Sequence, residues 1–352
     1  MRIQTWLGPL LLPAAFVGCW REDGRQAPSA PPAPAASAPA VCRRPPVGGT
    51  DVLRITVIPM GSTHEFWKSI HAGAVKAERE LRGVQIDWSA PMKEGDREAQ
   101  INLVENAINS GAHGIALAPS DNVALVRPVR EAVKAGIGVV ILDSELSGRP
   151  CEDYGSLVAT DSYVGGRKGG RRLGELLGGR GDVLLLRCQQ GFLSTTLREQ
   201  GFLDVMAAEF PGIRIVSSDQ YGGATAESAF AKAENLLNRF PDLEGIFCPN
   251  ESTTFGMLRA LQASGRAGRV RFVGFDSSTK LIEAMSRGEL HGLVLQDPIN
   301  IGYTGVKTLV AYLRGEEVPA RIDTGSEVAT PENMNEPRIR ELLSPPIEQY
   351  IR

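Results

Sequence analysis

The chain has 352 residues, of which 42% are hydrophobic and 22% charged, enough to bury two cores of ordinary size. A net charge of −3 leaves no basic face for nucleic acid, which is excluded as a partner. With 4 His and 5 Cys the chain is not a metal-rich protein, and neither a metal nor a cofactor is expected.

Arg2 precedes an apolar run, Trp6 to Gly18, that ends at Cys19. The run is too short to cross a bilayer as a helix. A positive start followed by a short apolar stretch reads as an export signal. Its ending, FVGC, looks like a bacterial lipoprotein processing box with Cys19 as lipid acceptor, although Phe16 stands where Leu is usual. The alternative is a plain secretory signal cut nearby. Residues 1–19 are read here as the lipoprotein signal, so the expected location is the periplasm or cell envelope. Acyl chains would supply the only membrane contact. Residues 20–50 are Pro/Ala-rich without apolar periodicity and read as a semi-stiff, solvated tether. An exported chain could bridge Cys42, at the tether's end, to Cys151, in a loop. Cys188 and Cys248 read as buried thiols.

From Leu53 the chain alternates strand and helix. LRITVIPM (53–60) is a strand, and GSTHEFW is the turn after it. Phe66, Ile70, Ala74, Ala77 and Leu81 then fall on one helical face. A strand at 84–88, a helix at 97–109, a strand at 115–118, a helix at 121–134 and strands at 138–142 and 155–159 follow. The pattern restarts with a helix at 162–177, a strand at 182–187, a helix at 196–209, a strand at 213–217 and a helix at 225–238. Strand–helix–strand segments run from Gly114 to Asp143 and, as an echo, from Gly245 to Asp276; each begins Gly-Ile and ends Asp-Ser. A helix at 279–287, a strand at 290–295, a helix from Pro298, an extended stretch at 321–328 and a Pro-rich tail complete the chain. Such alternation predicts an α/β fold of two doubly wound parallel sheets of 2-1-3-4-5 order. Ligands of these sheets bind beyond the carboxyl ends of the strands.

His64-Glu65 is not a zinc motif, because Lys68 occupies the place of the second His of HExxH. The run GGRKGGRRLGELLGG lacks the GK[ST] of a phosphate loop and reads as a closely packed helix with basic groups exposed. No catalytic acid/base pair or activated nucleophile stands out, so no catalytic residues are assigned. Phe66 and Trp67 sit at a strand-to-helix turn. Phe66 falls on the core face, whereas the Trp67 ring would be placed to stack on a sugar. Asp143 and Asp276 each end a hydrophobic strand at the matched point of the repeat. A helix N-cap would account for either alone; the match favours carboxylates that accept ligand hydroxyls.

The motifs STHEFWKSIHAGA, GIALAPSD, VVILDS, ATDSYVGG, REQGF, GIFCPNES, VGFDSS and LVLQDP resemble, in order and spacing, the periplasmic sugar-binding proteins of the ribose-binding type. These are the soluble receptors of ABC importers, and the resemblance spans about Leu53 to Thr330. It implies that Phe66 and Trp67 form an aromatic pair facing a ring from the other lobe, and that Asp143, Arg198, Asn250, Asp276 and Gln296 contact the ligand. Ser144 replaces an arginine and His64 an asparagine of the ribose binders; both count among the ligand positions, and both argue against ribose itself. The implied lobes are 51–160 plus 297–323, and 161–296 plus 324–352, joined by three crossings and closing on ligand. The implied protein is a non-enzymatic monomer that captures a small sugar or polyol and delivers it to an ABC permease. Presentation of ligand to a membrane sensor kinase or chemoreceptor is the alternative, and a sugar-acting enzyme a weaker one.

Overall fold

The computed structural model describes residues 40–49 and 52–351, so the signal sequence, Cys19 and most of the tether lie outside the described residues. The first half runs β1 (Val41–Cys42), β2 (Leu53–Ile58), α1 (Glu65–Glu80), β3 (Val84–Trp88), α2 (Arg97–Asn109), β4 (Gly114–Leu117), α3 (Val126–Lys134), β5 (Gly138–Leu142) and β6 (Ser156–Ala159). The second runs α4 (Ser162–Leu176), β7 (Arg180–Arg187), α5 (Leu193–Glu209), β8 (Gly212–Tyr221), α6 (Ala226–Arg239), β9 (Gly245–Phe247), α7 (Glu251–Ala263), β10 (Arg271–Phe275), α8 (Thr279–Ser286) and β11 (Gly292–Leu295). There follow α9 (Pro298–Leu313), β12 (Val318–Pro319), β13 (Arg321–Asp323), β14 (Glu327–Ala329), α10 (Pro337–Leu343) and a short 3-10 turn, Ile347–Gln349.

Two six-stranded sheets result, ordered β13-β6-β5-β4-β2-β3 and β14-β11-β10-β9-β7-β8. Every pairing is parallel except that of β14 with β11. Counted within each sheet, both have the 2-1-3-4-5 order expected, plus a sixth strand. The sequence shows why each strand sits where it does. β4, β5, β6 and β11 are apolar runs buried on both faces, whereas the edge strand β3 alternates half-buried and exposed residues. Helices cover both faces of each sheet and build separate cores: Ile55, Val140 and Leu309 on one side of the first sheet, Ile115, Leu117 and Ile141 on the other. In the second sheet Leu184, Phe272 and Leu293 face one way, Leu185, Phe247 and Phe275 the other.

The chain passes from the first sheet to the second between β6 and β7, returns between β11 and α9, and passes again between β13 and β14. The outer two passages are tied together. Thr160 Oγ1 donates to Gly325 O at 3.2 Å, and Asp161 N–H donates to Asp323 Oδ1 at 3.0 Å.

The glycine-rich run is helix α4, and its glycines do the packing. A Cβ at Gly166 would lie 1.9 Å from the carbonyl oxygen of Arg198, and one at Gly201 2.1 Å from that of Tyr163. Only glycine at both positions lets α4 and α5 approach so closely.

The structure corrects three boundaries. The tether does not extend to residue 50. β1 pairs antiparallel with β12, Val47 N–H donates to Leu313 O, and Cys42 is buried in a disulfide to Cys151. A Pro-rich composition hid a short segment that docks through backbone bonds and one covalent link. At the other end, β14 and α10 pack with the second sheet, but the tail then leaves it. After Pro345-Pro346 it crosses to α1 of the first lobe, where both terminal nitrogens of Arg79 donate to the carbonyls of Gln349 and Tyr350 at 2.8 Å. The helix expected at 121–134 begins only at Val126, because the Asp121 carboxylate folds the preceding residues into a turn by accepting the Val123 and Ala124 N–H groups.

Cys151→Ser should release the amino-terminal segment without unfolding the sheets. Limited trypsin digestion should then cut the Arg43–Arg44 bond at least ~10-fold faster than in the wild type, since local opening would no longer be opposed by the cross-link. Equal cutting rates would mean that the segment's hydrogen bonds hold it without the cross-link.

Candidate functional site

The loops beyond the carboxyl ends of β2, β5, β7, β9, β10 and β11 meet between the sheets. His64 is the N-cap residue of α1 and places Phe66 and Trp67 in the first helical turn. The two rings meet edge to face, with centroids 4.9 Å apart. Trp67 is 2% exposed, and its indole N–H donates to Glu94 Oε2 at 3.2 Å. The same Glu94 oxygen is paired with His64 Nδ1. Burial works against charge on His64, but the Glu94 carboxylate outweighs it and raises the imidazole to about 9.

Asp143 and Asp276 occupy equivalent places in the two sheets. Each follows a central strand, and each donates its backbone N–H to a valine carbonyl of the neighbouring strand, Val158 and Val294. Each adopts the left-handed backbone conformation, with φ of 59° and 65°. Neither is the N-cap residue of a following helix: no helix begins at Asp143, and the N-cap residue of α8 is Ser278. Their common conformation turns both carboxylates into the cleft at a backbone cost of about 1–2 kcal/mol each.

Arg198, from α5, lies between them. It is 2% exposed, with Nη2 at 3.8 Å from Asp143 and Nη1 at 3.9 Å from Asp276. Nη1 also donates to Pro249 O at 3.1 Å, and the guanidinium lies 4.0 Å from the centre of the Phe275 ring. Asp276 is fully engaged, accepting from Gln296 Nε2 at 2.8 Å and from Glu251 N–H at 3.1 Å. On residues lining the cleft, three buried polar atoms have no hydrogen-bond partner: Asp143 Oδ1, Arg198 Nε and Gln296 Oε1. Burial pushes the Asp143 carboxyl up to about 7, with Arg198 pulling it back. Burial also raises Asp276, against Arg198 and its two hydrogen bonds.

His64, Phe66, Trp67, Asp143, Arg198, Asn250, Asp276 and Gln296 thus converge on one cavity. Two of the expected contacts are otherwise occupied. The Asn250 side chain caps α7, accepting from Thr253 N–H at 3.2 Å and from its hydroxyl at 2.6 Å, and donating to Ser252 Oγ at 3.0 Å. Ser144 is off the cavity wall; its hydroxyl accepts the N–H of Ser194 from the opposite lobe at 3.2 Å. Sequence reasoning missed Glu94, Glu251, Ser194 and Thr195, and left the second-lobe ring without a residue; Phe192 is the ring that lines the cavity. The signal for Phe192 was its loop, QQGFLSTT, an apolar ring in polar surroundings at a strand end. Glu94 carried none.

With the lobes this close, the cavity is small and walled by residues of both. Among the described residues no group of three or more His, Cys, Asp or Glu is placed to hold a metal ion, and no helix is long and apolar enough to cross a membrane.

Two doubly wound lobes around a buried, polar and aromatic cleft define a bilobal solute-binding protein. Residues 55–317 match the periplasmic binding protein domain, and the chain belongs to that family. It is 31% identical over 263 residues to the D-allose-binding periplasmic protein of Escherichia coli (strain K12), covering 73% of this chain and 84% of that protein. A D-ribose/D-allose-binding protein of Pseudomonas aeruginosa is 31% identical over 290 residues, covering 79% of this chain and 88% of the relative. Among solved structures, an ABC transporter solute-binding protein from Agrobacterium vitis with bound D-fucose superposes with a TM-score of 0.80 at 34% identity, covering 83% of this chain and 100% of that one.

The raised Asp143 carboxyl has a stability consequence. Its folded value, about 7, lies above its ordinary 3.8, so its contribution is fully present at low pH and is lost as pH rises toward 7. Asp143→Asn cannot ionise. Its melting temperature, relative to the wild type, should therefore climb from about pH 4 to about pH 7 and then level off. A flat difference across that range would show that Asp143 titrates normally.

Proposed function

We propose that the protein captures a small sugar or polyol between its lobes and delivers it to an ABC importer. The observation that carries this reading is the set of orphaned buried atoms. Asp143 Oδ1 and Gln296 Oε1 are acceptors and Arg198 Nε is a donor. A ligand that satisfies all three must give two hydrogen bonds and take one, which neighbouring hydroxyls do. An ionised carboxylate has no proton for the Gln296 oxygen. The rings of Phe66, Trp67 and Phe192 supply the apolar walls that a sugar's C–H faces need. Relatives named for D-allose, and a neighbour holding D-fucose, support a monosaccharide.

Binding without catalysis is the reading for the cleft. Both oxygens of Asp276 and both of Glu251 are already engaged, and Glu94 is held by Trp67 and His64. Among the carboxylates lining the cavity only Asp143 takes no hydrogen bond from the protein, and one carboxylate is not the pair that glycoside hydrolysis uses. In this reading the lobes are those expected, with residues 40–49 added to the first and the end of the tail lying across onto it. The protein acts as a monomer, exported and held at the envelope through a lipid on Cys19. The disulfide supports an oxidising compartment.

Thermal-shift screening with neutral pentoses, hexoses and polyols tests the proposal, D-allose and D-fucose among them. A true ligand at 100-fold above its dissociation constant should stabilise the protein by about 3 kcal/mol. Arg198→Ala and Asp276→Ala should each abolish the shift. Failure of every neutral sugar, or consumption of a sugar by the purified protein, would overturn it.

A further inference from the structure

Hydrogen bonds at the edges of the cavity run from one lobe to the other. Glu251 opens α7 in the second lobe and reaches across to the first. Its Oε1 accepts the N–H of Glu65 at 3.3 Å, and its Oε2 accepts that of Phe66 at 3.2 Å. These are the first two N–H groups of α1, which no residue of the helix itself can satisfy. The N-cap residue, His64, makes no side-chain cap. The positive end of the α1 dipole is therefore capped by a carboxylate from the opposite lobe.

This contact is wired to the cleft. The N–H of Glu251 donates to Asp276 Oδ2, and Asp276 Oδ1 accepts from Gln296. The helix turn that Glu251 caps is also the turn that carries Phe66 and Trp67. On the far side of the cavity, the Ser194 N–H donates to Ser144 Oγ, a second contact between lobes. With all of these made, residues of both lobes wall the cavity.

We propose that Glu251 is a positioning residue for closure: its carboxylate caps α1 only when the lobes are together, and so populates a closed state before any sugar arrives. Sugar entry must part the lobes, and Asp276 couples the cap to whatever the cleft holds. The coupling rests on the reading of the cleft as the sugar site; the cap does not. Glu251 side-chain bonds go to the first lobe rather than to its own, so removing them leaves each lobe's hydrogen bonding intact.

The test is an interlobe distance measured without ligand. Spin labels at Met92→Cys and Glu227→Cys, in a chain that also carries Cys19→Ser, sit on exposed positions of the two lobes, and among the described residues the native cysteines are either bonded or buried. Sugar-free wild type should show a short, closed distance alongside a longer one. Glu251→Gln keeps the shape but loses the charge and one acceptor. It should lower the closed-to-open ratio by about tenfold, with the melting temperature of the sugar-free protein nearly unchanged. Ser144→Ala, which removes the smaller neutral contact, should lower the ratio less. A wild type with no closed population, or a Glu251→Gln distribution identical to wild type, would overturn the proposal. Because no sugar enters the measurement, its failure is separate from a failure to find a ligand.

Discussion

One buried guanidinium sets the terms for the cleft. Arg198 lies between two aspartates that have given up most of their water, and a charge so enclosed is tolerable only if partners surround it. The Pro249 carbonyl and the Phe275 ring supply part of that surrounding. The rest depends on where the helix backbone runs, and that is decided by glycine. Gly166 and Gly201 let α4 and α5 touch backbone to backbone, which brings the first turns of α5 down to the strand ends. Any side chain there would lift Arg198 away from both carboxylates. A feature that looks like low-complexity sequence is thus what places the cation.

The two lobes are alike in frame and unlike in use. Both present an aspartate on a left-handed residue after a central strand. In the second lobe that carboxylate is spent on Gln296 and Glu251, whereas in the first it takes no hydrogen bond from the protein and its Oδ1 is buried without one. Asp276 therefore acts as a rigid hub and Asp143 as an open acceptor. Rings come from both sides, Phe66 and Trp67 from one and Phe192 from the other.

Much of this was legible in the sequence because it is periodic or repeated. The alternation of apolar strands with 3.6-residue helical faces gave the fold, and the matched Asp-Ser endings gave the two carboxylates. What stayed hidden has no local signature. Glu94 sits in a polar loop whose neighbours carry no pattern, and its role exists only once Trp67 and His64 are beside it. Glu251 reads as an ordinary acidic residue at a helix start, where its charge suits its own helix; the structure shows it serving a different helix. Ser144 was assigned by position in a family pattern, but position cannot say whether a hydroxyl faces the ligand or the other lobe. The ends of the body were misjudged for the same reason, since short segments rich in proline dock through backbone bonds that composition does not report.

The disulfide has a mechanical meaning. Cys42 and Cys151 fasten the start of the folded body to the first lobe, where β1, Arg44 and Val47 all bond as well. Among the described residues, the bonds of this segment go to the first lobe. A leash pulling on Ala40 would load the first lobe alone, through a covalent stitch rather than through the crossings that bend. The first lobe is then the stator and the second the rotor, and a load at the amino-terminal end does not resist the swing.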